Sequence, residues 1–431
     1  LAPDHTYSEG ETMLRPFLII GVGGSGGKTL RGIKYQLELK LQQVGWRGGI
    51  PDAWQFLHFD TPTVQDGIDY AIPFLPPQEY KGLVSAGATY DTVYRSIERA
   101  HATNASVHKD IQRQLPDPQI VRVDVTKGAG QYRAVGRAVA LSSTKEIAAA
   151  ARAAIGRLGD AQALAQLQTL GRALRARDDG AASSSPTVIV ISSIAGGSGA
   201  GQFLDVIEVV KSTAKQYPWS NQFFSMLYAP DVFDQLPVTA GMPGNAIAAI
   251  AETMNGFWTD TPSQSTLELL KNQGIAPSYG GAMDNVGAAY PFIIGRSNSK
   301  VTFADQSAVY DAVATSLTAW MTDDRVQDEI TAYATGNWQS RVGASVLSDV
   351  IAVVPAAAAL RRRARRSALA ACRSAAGRFL HSRRSASRVP RWIACCLRTS
   401  KTTNNSCSVP RKSGLPSAPP RRTSASSPSC A

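Results

Sequence analysis

An α/β fold, with a parallel sheet flanked by helices, is predicted by three observations. Short apolar runs recur along the chain, each ends in a glycine-rich or acidic turn, and most turns open a segment with helical apolar spacing. The first run, Arg15-Pro16-Phe17-Leu18-Ile19-Ile20, reads as a buried strand. It enters Gly21-Val22-Gly23-Gly24-Ser25-Gly26-Gly27, and a helix follows from Lys28 to about Gln43, with Leu30, Ile33, Leu37 and Leu41 on one stripe. Ala53 to Phe59 is the second strand and closes on Asp60-Thr61. Residues 62–116 are rich in Pro and Gly and read as an irregular insertion with one or two helices. Ile120 to Val125 predicts a strand that leads into Gly128-Ala129-Gly130-Gln131 and an Ala-rich helix to about Gly156. A further helix is expected over 160–177, then a Ser-rich linker from Asp179 to Pro186. Thr187 to Ser192 is the strongest strand signal; it runs through Ala195-Gly196-Gly197-Ser198-Gly199-Ala200-Gly201 into an amphipathic helix from Phe203 to Lys211. Phe223 to Tyr228, Tyr290 to Ile294 and Ala304 to Met321 add strand, strand and helix.

Charge divides the chain. The net charge is +12, yet residues 351–431 carry 17 Lys and Arg, no Asp or Glu, and all five cysteines. The first 350 residues hold 28 basic and 33 acidic side chains, so the body is mildly acidic and cysteine-free. That excludes a disulfide framework or a thiolate metal site there, and it suits a cytoplasmic protein. The five histidines show no metal-ligand spacing, and no stretch approaches the ~18 consecutive apolar residues of a membrane helix.

The three glycine-rich loops share one design: buried strand, glycine turn, helix start. Glycine lets backbone N–H groups approach an anion without an intervening Cβ, and a helix amino terminus adds unpaired donors and partial positive charge. In an open parallel sheet such loops gather at the carboxyl ends of the strands, so three of them imply a ligand with several phosphates. The first loop alone is ambiguous. Gly21-x-Gly23-x-x-Gly26 fits a dinucleotide fingerprint, but Asp60 follows Gly26 by 34 positions, later than the ~20 usual for a ribose-binding carboxylate. Gly27-Lys28-Thr29 resembles the end of a P-loop whose opening glycine is replaced by Val22. Lys28 itself is either a phosphate contact or a solvated first-turn lysine.

Taken in order, the loops resemble the tubulin/FtsZ GTPase family, in particular its divergent bacterial tubulin-like branch. Ala195 to Gly201 resembles the tubulin signature, with Ala195 at its first glycine. Gly128 to Gln131, with Gly136-Arg137-Ala138 after it, resembles the FtsZ loop that covers the terminal phosphate. Gly21 to Gly27 looks like the family's first loop and Asp60-Thr61 like its second. The resemblance implies GTP or GDP with Mg²⁺ as cofactors and a guanine held against the central helix. Phe303 and Asp305 look like the base contact there, with Arg296 and Asn298 near the ribose or base edge. It also implies head-to-tail self-association, in which acidic residues of one subunit act on its neighbour's nucleotide. The family's Asn-x-Asp-x-x-Asp loop is absent after Met321; Asp324 and Asp328, four apart on one helix face, are the candidates that stand there.

The expected organisation is an amino-terminal tail (1–14), a nucleotide-binding domain (15–321), the start of an incomplete second domain (322–354) and a basic low-complexity tail (355–431). Two readings account for that tail: a basic arm for nucleic acid or an acidic surface, or coding DNA read out of frame, which the clustered Arg, Ala, Ser, Pro and Cys favour. Two other functions compete with the GTPase: a Rossmann-type NAD-binding enzyme built on the first loop, and a non-hydrolysing nucleotide-binding scaffold.

Overall fold

The computed structural model describes residues 14–100, 102, 105–174, 185–214, 223–258, 271, 287–288 and 290–338. The expected amino-terminal tail up to residue 13, the rest of the expected second-domain start and the basic tail lie outside the described residues.

Six parallel strands form one sheet in the order β3-β2-β1-β4-β5-β6. They are β1 (Phe17–Val22), β2 (Trp54–Asp60), β3 (Tyr80–Gly82), β4 (Thr187–Ser193), β5 (Phe223–Tyr228) and β6 (Tyr290–Ile294). β1 lies between β2 and β4, with Phe17 opposite both Trp54 and Thr187. Every residue of β1 and β4 is buried, because both faces of the sheet are covered. The period-two geometry of a strand divides each apolar run between the faces. Leu18, Ile20, Val188 and Val190 enter one core, while Phe17, Ile19, Ile189 and Ile191 enter the other.

The first core is covered by α2 (Tyr90–Ala100), α4 (Arg133–Ser142), α5 (Thr144–Leu158), α7 (Ser198–Thr213) and α8 (Met242–Trp258). The second is covered by α1 (Gly23–Gln43), α6 (Ala161–Ala173) and α9 (Gln306–Thr322). Leu30, Ile33, Leu37 and Leu41 of α1 share that core with Val309, Ala314, Leu317 and Trp320 of α9, so the predicted stripe is the face that holds the central helix. α3 (Ala105–Gln114) and α10 (Asp324–Trp338) complete the described helices.

Several expectations change. Residues 120–125 are not a strand. Ile120 is 81% exposed, Val121 and Val123 only partly cover the first core, and Tyr90 N donates to Val123 O at 3.4 Å. The alternation there serves a loop lying over α2; it pairs with no strand, and only Val125 is fully buried. The helix expected from 131 to 156 is two helices, broken at Ser143, whose Oγ donates to Leu83 O at 2.8 Å. α1 and α7 begin five residues earlier than their apolar stripes indicate: Gly23, at φ +72°, turns the chain directly from β1 into α1, and the four residues Ile194 to Gly197 carry it from β4 into α7.

Candidate functional site

From β1 the chain builds β2 and β3 on one side and later β4, β5 and β6 on the other. The strand order therefore reverses between β1 and β4, and the loops leaving their carboxyl ends diverge into helices on opposite faces. This is the crevice where open α/β sheets hold ligands. Two helix amino termini open into it, those of α1 and α7. Neither has a side-chain cap and neither carries an acid in its first turn. Uncapped first-turn N–H groups of this kind suit an anion.

The glycines here are demanded by backbone contact. A Cβ on Gly23 would stand 2.7 Å from Gly199 N, and one on Gly199 would stand 2.8 Å from Ser192 Oγ. One on Gly26 would collide with Ile191 O. The third loop closes on the same point: Gly197 N donates to Gly130 O at 2.8 Å, and Ala129 N to Ser198 Oγ at 3.4 Å. Gly128 and Gly130 take φ of +118° and +56°, in the positive-φ region that favours glycine. The structure thus brings Gly21 to Gly27, Gly128 to Gln131 and Ala195 to Gly201 together.

Asp60 and Thr61 lie behind this cradle and are buried. Asp60 Oδ1 accepts from Thr61 N at 2.7 Å, and Thr61 Oγ1 accepts from Gln202 Nε2 at 2.7 Å. His58 Nε2 is 3.1 Å from Gly23 O, a carbonyl that can only accept, so the proton sits on Nε2. Burial lowers the His58 pKa to about 4 and raises that of Asp60 to about 7. The 3.8 Å approach of His58 Nε2 to Asp60 is therefore no ion pair at neutral pH, because the imidazole is uncharged.

These shifts give a pH prediction. Asp60 is raised above its unfolded value of 3.8, so its contribution to stability is full below about pH 4 and is lost as pH rises through about 7. His58 has the opposite sign: its contribution holds above 6.5 and fades as pH falls toward about 4. Asp60→Asn removes the first loss. In thermal unfolding the variant is expected to gain on the wild type by roughly a few °C between pH 5 and pH 8. A difference equal at both pH values would contradict the assignment.

The remaining predicted residues are placed as follows. Lys28 pairs with Asp69, Nζ to carboxylate at 3.2 Å. The side chain of Gln131 holds residues 238–241: Nε2 donates to Val238 O at 2.6 Å, and Oε1 accepts from Gly241 N at 2.8 Å. Arg296, Asn298 and Phe303 share a hairpin between β6 and α9, closed by Phe303 N to Arg296 O at 3.0 Å. Asn298 Oδ1 caps its turn, accepting from Lys300 N and Val301 N at 2.8 and 2.9 Å. Asp305 caps α9, accepting from Ala308 N at 2.9 Å. The start of α9 reaches the first loop through Tyr310, whose hydroxyl lies 3.2 Å from Ser25 Oγ. Asp324 is buried at the start of α10, beyond the far end of α9. Seventeen residues of α9 rise about 25 Å, so Asp324 and Asp328 stand far from their own chain's loops.

Four residues near the cradle escaped the sequence reading. Gln202 and Tyr310 are polar groups in helices that look like core. Arg133 is joined to Glu252 by a two-toothed ion pair and donates to Ala200 O at 3.0 Å. Asn245 sits at the start of a helix that no motif marks.

The sequence matches the tubulin-like family over residues 18–369. The chain belongs to that family. Among solved structures, this tubulin-like chain is similar to the GTPγS-bound protofilament of CetZ2 from Haloferax volcanii, at 14% identity and a TM-score of 0.34 over 71% of this chain and 58% of that one. For CetZ from Methanosaeta thermophila strain DSM 6194 the values are 12%, 0.31, 76% and 59%. For TubZ of Clostridium botulinum phage c-st they are 12%, 0.32, 73% and 66%. The chain spans about three fifths of the length of the two CetZ proteins. No curated protein matches it. Among the described residues no helix is long and apolar enough to cross a membrane, and no cluster of three or more His, Cys, Asp or Glu could hold a metal ion.

Proposed function

We propose that this tubulin-like chain binds GTP and GDP in the crevice between β1 and β4 and that it is a GTPase assembling head to tail. The observation that carries the reading is the backbone contact of three glycine loops around two uncapped helix starts. A dinucleotide enzyme needs only the first of those loops; the sheet order 3-2-1-4-5-6 is common to such enzymes and does not separate the two.

In this reading Gly23, Gly24 and Ser25 of the first loop and Gly196, Ser198, Gly199 and Ala200 of the signature loop give N–H groups to phosphate oxygens. Gly128, Ala129, Gly130 and Gln131 cover the terminal phosphate. Asp60 and Thr61 back the cradle, and Phe303, Asp305, Arg296 and Asn298 line the base and ribose side. Mg²⁺ would be held largely by the phosphates and water, as its preference for few carboxylates favours; it would neutralise charge on the phosphates. Of the two acids too far from their own loops, Asp328 is the one that would face the next subunit's nucleotide, where a carboxylate positions and deprotonates water, because Asp324 is buried at the start of α10. A cytoplasmic location fits this activity.

Turnover per subunit is the test of assembly. Phosphate release by the purified full chain with GTP and Mg²⁺ is expected to rise more than in proportion to protein concentration, with sedimentable polymer appearing over the same range. Turnover strictly proportional to concentration, with no polymer, would contradict assembly; bound GTP with no turnover would favour the non-hydrolysing scaffold, which the missing Asn-x-Asp-x-x-Asp loop already recommends as the second reading.

A further inference from the structure

Asn245, in the first turn of α8, makes contacts out of proportion to its place on a surface helix. Its Nδ2 donates to Gln131 O at 2.9 Å and to Ala195 O at 2.9 Å, with Gly196 O at 3.4 Å. All three partners are carbonyls, which only accept, so the amide orientation is fixed by its network. One side chain thereby bridges the loop over residues 128–131 and the loop over residues 195–201. The same stretch is tied a second time, by the Gln131 side chain to Val238 O and Gly241 N.

The consequence follows from peptide planarity. In a trans peptide the C=O and N–H point in opposite directions. Holding Ala195 C=O toward α8 turns the Gly196 N–H away from α8. The next peptide is held in turn, with Gly197 N donating to Gly130 O at 2.8 Å. One peptide is aimed outward and the other is spent on joining the two loops.

We propose that Asn245 is a positioning residue of the phosphate site, orienting the Ala195–Gly196 peptide and locking residues 128–131 against it so that the two loops close on the terminal phosphate as one body. This rests on the phosphate-binding reading above. It assigns Asn245 to the backbone of the cradle and not to the nucleotide base.

The test compares GTP, GDP and ATP binding by the full chain and by Asn245→Ala. Loss of the bridge frees the loop that meets the terminal phosphate, so the ratio of GTP to GDP affinity is expected to fall roughly tenfold. The preference for GTP over ATP stays unchanged. Amide exchange at residues 128–131 and 195–197 of the nucleotide-free chain is expected to quicken in the variant. If Asn245→Ala fails to fold, Asn245→Ser, which keeps a small polar group at the helix start, is read in the same way. An unchanged GTP-to-GDP ratio in a folded variant overturns the positioning role alone. Equal loss of GTP and GDP together with lost discrimination against ATP means that Asn245 touches the base, and also overturns it. A wild-type chain that binds no nucleotide overturns both this inference and the function it rests on.

Discussion

Gly196→Trp is expected to weaken nucleotide binding by at least about 100-fold, while its thermal transition stays within roughly 2 °C of the wild type. The reason lies in the different surroundings of neighbouring glycines. A Cβ on Gly196 meets nothing within 4 Å, so a side chain can leave the backbone there without displacing a neighbour. The loop it stands on is the one whose N–H groups would meet phosphate, and the loss of two charge-assisted hydrogen bonds is enough for the stated drop. Gly197 is the contrast. A Cβ there would lie 2.5 Å from Gly130 O and 2.8 Å from Ala129 O, so Gly197→Val is expected to force the two loops apart and lower stability as well. Titration calorimetry and a thermal melt on both variants separate the cases. A Gly196→Trp protein that melts normally and binds normally would remove this loop from the site.

Trp320→Ala is the largest stability effect expected, about 3–5 kcal/mol. The indole is 2% exposed and stands edge-on to Phe17 of β1 at 6.1 Å and to Phe224 of β5 at 4.8 Å. With Leu317 and Met321 it seats the carboxyl-terminal half of α9 in the second core. Truncation leaves a cavity in a layer bounded by two strands and α1, which cannot collapse to fill it. Denaturant unfolding is the measurement, and a cost below about 1 kcal/mol would mean that α9 is not anchored there. Because Tyr310 on the same helix reaches Ser25, loosening α9 is also expected to slacken the first loop.

How far the sequence spoke for itself depended on the kind of signal. Runs such as Phe17 to Ile20 and Thr187 to Ser192 are strands because they are apolar on both sides, and a parallel sheet covered on both faces is the structure that demands this. The glycine loops were legible because several of their positions, Gly23, Gly26 and Gly197 among them, meet backbone too closely for a Cβ, which concentrates glycine there. The run over residues 120–125 misled because alternation reports burial of one side, not the presence of a strand partner. α8 was missed because it offers no sharp stripe between clear caps, and of α10 only the helical start at Asp324 and Asp328 was legible. Asn245 was missed for a deeper reason: its partners are carbonyl oxygens, which every residue carries, so only the fold brings them within reach. Asp305 shows the converse, a carboxylate whose helix-capping bond to Ala308 N is local and plain.

The central claim is that the crevice between β1 and β4 holds a guanine nucleotide. Binding of GTP, ATP and NAD to the purified full chain, compared under Mg²⁺, tests it most directly. Selective GTP binding that is lost on Gly196→Trp is the predicted result. Preference for NAD, or equal weak binding of all three, would contradict the claim and return the first loop to a dinucleotide reading.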